Sequence, residues 1–289
     1  MKIAIFGSKH QKKDQVVKLF DILNANETEI YLQAKFYDYL KNVMKLDYDV
    51  AGIITDDNFS ADLVVSIGGD GTFLRTTMAI GKKDIPILGI NAGRLGFLAD
   101  VSEEDLEVTF ADIFAGNYRI EHRSQLHLIT EHKDFQGFNY ALNEIAILKQ
   151  DSASMITVHA NINGEYLTSY EADGIIIATP TGSTAYSMSV GGPIMTPVTS
   201  NFVISAIAPH SLSNRPLVVP DDSIITLDVE SRNNTYLISL DGRSNVFRTG
   251  TKLHIDKASF SLKVLKRNEN TFFDTLRNKL KWGIDPRQS

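Results

Sequence analysis

Apolar positions along the chain fall into two regimes. Residues 3–6 form a short apolar run closed by Gly7-Ser8, and Val16, Val17, Phe20 and Leu23 recur at helical spacing over 14–24. A second helical stretch covers 34–46, an apolar strand follows at 63–67, a helix begins at Phe73 and runs to 80, and another strand covers 85–90. Strand–helix–strand alternation predicts a parallel sheet covered by helices. A linking helix over 105–118 ends this regime. Beyond it, short apolar alternations recur at 126–130, 140–148, 156–162, 174–178, 202–206, 224–229, 236–240, 253–255 and 260–265, with Asn163-Gly164 as a hairpin turn. Many short strands joined by polar turns predict a β-sandwich. The last periodic segment, 272–282, places Phe273, Leu276 and Leu280 on one helical face. The expected fold is an α/β N-terminal domain with a parallel sheet (1–105) and an all-β, β-sandwich-like C-terminal domain (106–269). A C-terminal helix within 270–289 is expected to pack back on the first domain.

Composition removes whole classes of chemistry. At 289 residues with 43% hydrophobic content, the chain can bury one large core or two smaller ones. A net charge of −6, spread along the sequence, argues against a nucleic-acid partner. The absence of cysteine removes disulfides, thiolate nucleophiles and Cys-based metal sites. No apolar run approaches a membrane span, and the first residues read as a strand rather than a leader. A cytoplasmic protein is therefore expected.

Candidate chemistry starts at the end of the 63–67 strand. The run stops at Gly68-Gly69-Asp70-Gly71-Thr72 and gives way to a helix. Glycines let backbone N–H groups approach an anion, and the helix N-terminus adds partial positive charge. A carboxylate beside bound phosphate must act on something else, such as a hydroxyl or a metal. The plainer reading, a tight turn whose Asp satisfies helix N–H groups, stands level with it on these residues alone. The loop Asn91-Ala92-Gly93-Arg94-Leu95-Gly96-Phe97 also falls at a strand's carboxyl end, where ligands bind in such sheets.

A second constellation lies in the β-rich half. The 174–178 strand ends at Thr179, Pro180 and Gly182 shape a turn, and Ser183-Thr184 can cap a helix starting near Ala185. Asp173 opens that strand, where a carboxylate must cap, pair or bind. Asn143-Glu144 interrupts the 140–148 strand, so one of the two should face inward and need partners, from a neighbouring loop or a ligand. Asp241-Gly242-Arg243 reads first as a hairpin turn. No Walker loop and no strand-linked G-x-G-x-x-G occurs, and the histidines (10, 122, 127, 132, 159, 210, 254) lack metal-ligand spacing.

Taken in order, Gly68–Thr72, the 91–97 loop, Leu142-Asn143-Glu144, Asp173-Gly174, the 179–187 string, Gly191-Gly192-Pro193, Pro209-His210 and Asp241 resemble the NAD kinase family over most of the chain. The resemblance implies transfer of the ATP γ-phosphoryl group to the 2′-hydroxyl of the adenosine ribose of NAD. It makes Asp70 the general base. A carboxylate of pKa about 4 accepts that proton only as the bond to phosphorus forms, so positioning supplies most of the acceleration. It puts Gly68, Gly69, Gly71, Thr72 and Arg75 on the ATP phosphates, with Mg²⁺ arriving on the nucleotide and no metal fixed by protein side chains. Around NAD it places Asp70, Gly71, Arg75, Phe97, Asn143, Glu144, Glu171, Asp173, Thr184, Ala185, Tyr186, Ser187, Met188, Ser189, Ala208, Asp241 and Arg243. It also implies a homodimer or homotetramer assembled through the β-rich domain, with neither nucleic acid nor membrane as partner.

Glu171 departs from the family pattern, which often has a basic residue two places before Asp-Gly. A carboxylate there would repel a product 2′-phosphate by roughly 1 kcal/mol if exposed nearby. A diacylglycerol- or sphingosine-type lipid kinase shares the first loop but differs over 91–97, and a non-catalytic nucleotide sensor should have lost Asp70 or its glycines.

Overall fold

The computed structural model describes residues 1–9, 11–93, 95–131, 134–151 and 154–282. His10, Arg94, His132 and the end of the expected C-terminal helix lie outside them. From the start the chain forms β1 (Lys2–Gly7), α1 (Lys13–Ala25), β2 (Glu29–Gln33), α2 (Ala34–Tyr39), β3 (Gly52–Ile54), β4 (Leu63–Ile67), α3 (Asp70–Ile80), β5 (Ile87–Ile90), α4 (Leu106–Ala115) and β6 (Tyr118–Arg123). It continues through β7 (Leu126–Thr130), β8 (Tyr140–Ala141), β9 (Glu144–Lys149), β10 (Ile156–Ile162), β11 (Glu165–Ala172), β12 (Gly174–Ala178) and α5 (Tyr186–Ser189). Then come β13 (Asn201–Ile207), β14 (Leu217–Pro220), β15 (Ile225–Ser231), β16 (Thr235–Leu240), β17 (Arg243–Arg248), β18 (Leu253–Lys257), β19 (Leu262–Arg267) and α6 (Phe272–Leu280). The chain divides into two units, Met1–His122 with everything from Leu262 onward, and Arg123–Ser261.

In the first unit a seven-stranded sheet runs in the order β3-β2-β1-β4-β5-β19-β6. The pairs from β3 through to β19 are parallel. Strands buried on both faces need continuous apolar runs, and Leu63–Ile67 is buried at every position. The chain grows outward from β1 through β2 to β3, then crosses to β4 on β1's other side. That reversal opens a crevice at the carboxyl ends of β1 and β4. Helix α1 turns Val16, Leu19, Phe20 and Leu23 into the core beside Ile3, Ile5 and Val65.

The helix expected over 34–46 closes after Tyr39 and continues as a wider π turn, Leu40–Met44. The helix placed at Phe73 begins three residues earlier, at Asp70, so the carboxylate sits in its first turn. Helix α6 carries a reciprocal cap, in which Thr271 Oγ1 accepts the Asp274 N–H and Asp274 accepts the Thr271 N–H. It rests on the same unit as the parallel sheet, with Leu276 buried.

The second unit stacks two antiparallel six-stranded sheets, ordered β11-β10-β15-β18-β7-β8 and β14-β13-β12-β9-β16-β17. Leu126, Val158 and Leu227 of one sheet meet Ile145, Ile175 and Phe202 of the other in a single apolar core. The expected 140–148 strand is broken. Tyr140–Ala141 pairs with β7 in one sheet and Glu144–Lys149 with β12 and β16 in the other. The chain changes sheets at Leu142-Asn143, because those N–H groups leave the ladder for a side chain described next.

Candidate active site

Strand β4 ends at the crevice and hands the chain to α3 through Gly68 and Gly69. Asp70 is held from the far side by the loop that follows β5. Its Oδ2 accepts the N–H of Phe97 and its Oδ1 accepts those of Leu98 and Ala99, each at 3.0 Å. The loop is fixed in turn. Gly96 N–H donates to Ala99 O at 2.9 Å, and the adjoining Asp100 forms a buried ion pair with Lys266 of β19 at 2.5 Å. A Cβ on Gly96 would overlap Asp70 Oδ1, so only glycine lets the loop close on the carboxylate. Lys279 of α6 stands 3.8 Å from Asp70 Oδ2.

A cavity of ≈ 370 Å³ opens at the carboxyl ends of β1 and β2, against α3, lined by Gly7, Ser8, Phe36, Tyr39, Thr72 and Arg75. Lys9 and Lys35 also line it, so three cations face one concavity. Arg75 Nη2 donates to Thr72 Oγ1 at 3.1 Å, one helical turn back. At Gly69 nothing stands within 4 Å of where a side chain would begin, which leaves backbone exposed to an approaching anion.

In the second unit, Asp241 accepts the N–H groups of Leu142, Asn143 and Glu144 at 2.7, 2.8 and 3.1 Å. This side chain draws Leu142-Asn143 out of the ladder. Asp241 and Gly242 form the β16–β17 turn at φ of 48° and 81°. Arg243 donates to Phe138 O and Tyr140 O, bracing the same segment. The turn after β12 lies against it. Thr179 Oγ1 donates to Leu142 O at 2.5 Å, Thr179 N–H donates to Asn143 O at 2.9 Å, and a Cβ on Gly182 would overlap the Asn143 carbonyl.

Glu144 emerges from this clasp with an unusual environment. Burial raises its carboxyl from an ordinary value near 4.5 to about 7; the Asp241 charge adds to the rise, and the Tyr186 N–H opposes it. Its Oε2 is buried without a hydrogen-bond partner among the described residues. Burial also pushes Asp241 up, against the pull of its three backbone N–H groups and of Arg243.

Residues 8–118 match the model of the ATP-NAD kinase N-terminal domain, and residues 142–267 that of the C-terminal domain. An NAD kinase of Bacteroides fragilis is 51% identical over 289 residues, covering 99% of this chain and 100% of that protein. The chain belongs to the NAD kinase family. An NAD kinase of Porphyromonas gingivalis is 44% identical over 284 residues, with 98% of each chain covered. Among solved structures, an Archaeoglobus fulgidus NAD kinase in complex with ATP superposes with a TM-score of 0.78 at 28% identity, covering 97% of this chain and 99% of that one. Yeast NADH kinase complexed with NADH shares the fold, with a TM-score of 0.88 at 24% identity over 99% of this chain and 89% of that one.

In this NAD kinase family member, the structure gathers the sequence-predicted residues into groups. Gly68, Gly69, Asp70, Gly71, Thr72, Arg75 and Phe97 converge in the first unit. Asn143, Glu144, Thr184, Ala185, Tyr186 and Asp241 converge in the second, and Ser187 is buried behind them, 3.5 Å from the Ser205 hydroxyl. The expected cap at Ser183-Thr184 is absent. Ser183 Oγ instead donates to Pro180 O and accepts the Met195 N–H, Thr184 Oγ1 donates to Thr181 O, and α5 is a single turn holding Met188 and Ser189.

Asp173, Glu171 and Ala208 lie elsewhere. In the β9–β12 register Glu144 faces Ala178, while Leu148 faces Gly174 at the strand's other end. Six residue steps at about 3.3 Å each separate Asp173 from Thr179, roughly 20 Å. There Asp173 pairs with Lys149 at 2.6 Å, Glu171 lies 4.0 Å from His210, and Ala208 has φ 43°. Sequence reasoning missed Lys9, Lys35, Phe36 and Tyr39, which line the crevice cavity. Their only signal was position after β1 and β2, at the ends where such sheets bind ligands. It also missed Lys279, for which sequence offers no signal beyond a basic residue in a helix's last turn.

Proposed function

We propose that the chain transfers the γ-phosphoryl group of ATP to the 2′-hydroxyl of the adenosine ribose of NAD, giving NADP and ADP. The observation that carries this reading is Asp70. It is a carboxylate fixed by three N–H groups in the first turn of a helix, beside a cavity with three cations and backbone open to phosphate. The hydroxyl oxygen bonds to Pγ, the bond from Pγ to the ADP oxygen breaks, and the hydroxyl proton passes to Asp70. Orientation and charge neutralisation do the rest.

Thr72, Arg75, Lys9 and Lys35 suit the donor's phosphates. Asn143 and Glu144 suit ribose hydroxyls, since the unpartnered Glu144 Oε2 would accept an O–H. Thr184, Ala185 and Tyr186 suit the adenine. No group of three or more His, Asp or Glu gathers among the described residues to hold a metal. A divalent cation carried by ATP would screen its charge.

The separation of Asp173, Glu171 and Ala208 from the Glu144 group supports a homo-oligomer in which a second copy brings that end of β12 to the ligand. No helix among the described residues is long and apolar enough to cross a membrane; a cytoplasmic enzyme is the reading we favour. The test is a coupled assay with Mg-ATP and NAD or NADH, detecting NADP(H) with an NADP-specific dehydrogenase. Turnover that vanishes in Asp70→Asn supports the reading. Absence of turnover with either dinucleotide, despite measurable NAD binding, overturns it.

A further inference from the structure

Helix α6 ends on the reactive carboxylate, and its penultimate residue makes the contact. Lys279 Nζ donates to Leu95 O at 2.8 Å, stands 5.1 Å above the Phe97 ring and 3.8 Å from Asp70 Oδ2. Phe272, at the other end of α6, lies 6.4 Å from the same Phe97 ring. The helix therefore grips the loop whose N–H groups hold Asp70, and does so from two points. Lys279 is about as sheltered as its carboxylate partner, with 31% of its side chain exposed against 32%. A carbonyl, a ring face and a carboxylate share one ammonium, which suits the compact three-donor head of lysine.

We propose that Lys279 is a positioning residue for phosphoryl transfer. It holds the Leu95–Ala99 turn on Asp70 and offsets the repulsion between that carboxylate and the phosphates of the donor. The inference rests on the ATP-dependent reading above. An exposed ion pair contributes little to stability. Here the carboxylate is the one that must tolerate a polyphosphate at close range, so the charge matters for donor binding rather than for folding. Most of the residues placed around NAD belong to the other unit, so NAD affinity should change far less than Mg-ATP affinity.

The test compares Lys279→Met, which keeps the stem and loses the charge, with Lys279→Arg. Steady-state kinetics, calorimetric titration with Mg-ATP and with NAD, and thermal unfolding are read on each full-length protein. In Lys279→Met, kcat/KM for ATP and Mg-ATP affinity are expected to fall about tenfold. NAD affinity should stay within twofold, the melting temperature should hold, and amide exchange at Phe97–Ala99 should quicken. Lys279→Arg should restore most of the loss. Mg-ATP affinity within twofold of wild type in Lys279→Met overturns the inference, as does an equal loss for ATP and NAD accompanied by a lower melting temperature. A wild-type protein that binds Mg-ATP but does not phosphorylate NAD removes the functional reading, while the Mg-ATP titrations still decide the role of Lys279.

Discussion

Asp70 and Glu144 are both carboxylates placed by a strand end, one in each unit, and they are held in opposite ways. Asp70 accepts three backbone N–H groups, has an ammonium nearby and keeps about a third of its side chain in water. Glu144 accepts one N–H, from Tyr186, faces the Asp241 charge, and keeps a buried oxygen with no partner among the described residues. The first arrangement fixes a carboxylate in one orientation before any ligand arrives. The second leaves a desolvated group whose missing donor a ligand hydroxyl can supply. A group that must point at a reacting atom needs preorganisation, whereas a group that recognises a substrate gains most when binding completes its hydrogen bonds.

The largest expected effect tests the first half of that contrast. Asp70→Asn keeps size and most acceptor geometry but removes the proton acceptor, so turnover should fall by about 10²–10⁴-fold while Mg-ATP and NAD affinities stay near wild type. Retained turnover in the initial-rate assay would end the role of Asp70 as base. Next is Gly96→Ala. Its Cβ would displace Asp70 or open the loop, so kcat should drop at least tenfold and stability by about 1–3 kcal/mol in chemical denaturation. Wild-type kcat in that variant would show that the three N–H groups are not what orients the carboxylate.

Gly182→Ala moves the test to the other carboxylate. The Cβ would press on the Asn143 carbonyl and loosen the clasp that presents Glu144. A several-fold rise in the NAD dissociation constant with Mg-ATP affinity unchanged is the expected result, read by titration calorimetry. Loss of ATP binding as well would mean that the clasp serves the whole chain rather than the dinucleotide group.

The two carboxylates were not equally legible. The glycine string around Asp70 is a local signal, since strand, turn and helix follow one another in sequence. Gly96 closes on a side chain 26 positions earlier, which no periodicity reveals. Asp241 was legible as a hairpin turn, but its capture of N–H groups about a hundred residues away was not. That capture explains why the 140–148 pattern, read as one strand, is two strands in two sheets. Strands that escaped the hydrophobic pattern have a common cause: β3, β6, β11, β14 and β17 are all sheet edges. Edge strands are blunted either by polar residues, as in β6, β11 and β17, or by being very short, as in β3 and β14, and both weaken the alternation. Strand β2 is interior and was missed because it is short, with only Ile30 and Leu32 buried. The buried apolar runs of both cores were legible, except that the 260–265 run, expected in the β-rich domain, is β19 of the parallel sheet, a long-range pairing that periodicity does not reveal.

The last test is a pH dependence, centred on Glu144 and its neighbour Asp241, whose carboxyl burial also raises. Burial raises its carboxyl to about 7 from an ordinary value near 4.5, so the folded state binds a proton more tightly than the unfolded chain. The sign follows from linkage. Glu144 favours the fold fully at acid pH, and that contribution is withdrawn as pH climbs from about 4.5 to about 7, by about 3 kcal/mol at most. Ligand binding should run the other way. A ribose hydroxyl donates best to an ionised carboxylate, so NAD affinity should rise through pH 7 in the wild type. Glu144→Gln cannot ionise, so its NAD affinity should be flat over pH 6–8 and it should gain stability relative to wild type at the alkaline end. Titration calorimetry across that range, paired with denaturation at the same pH values, separates the two trends. A wild-type affinity that does not change with pH would mean that Glu144 meets its ligand as a neutral acid, and the contrast with Asp70 would then be one of protonation as well as of solvation.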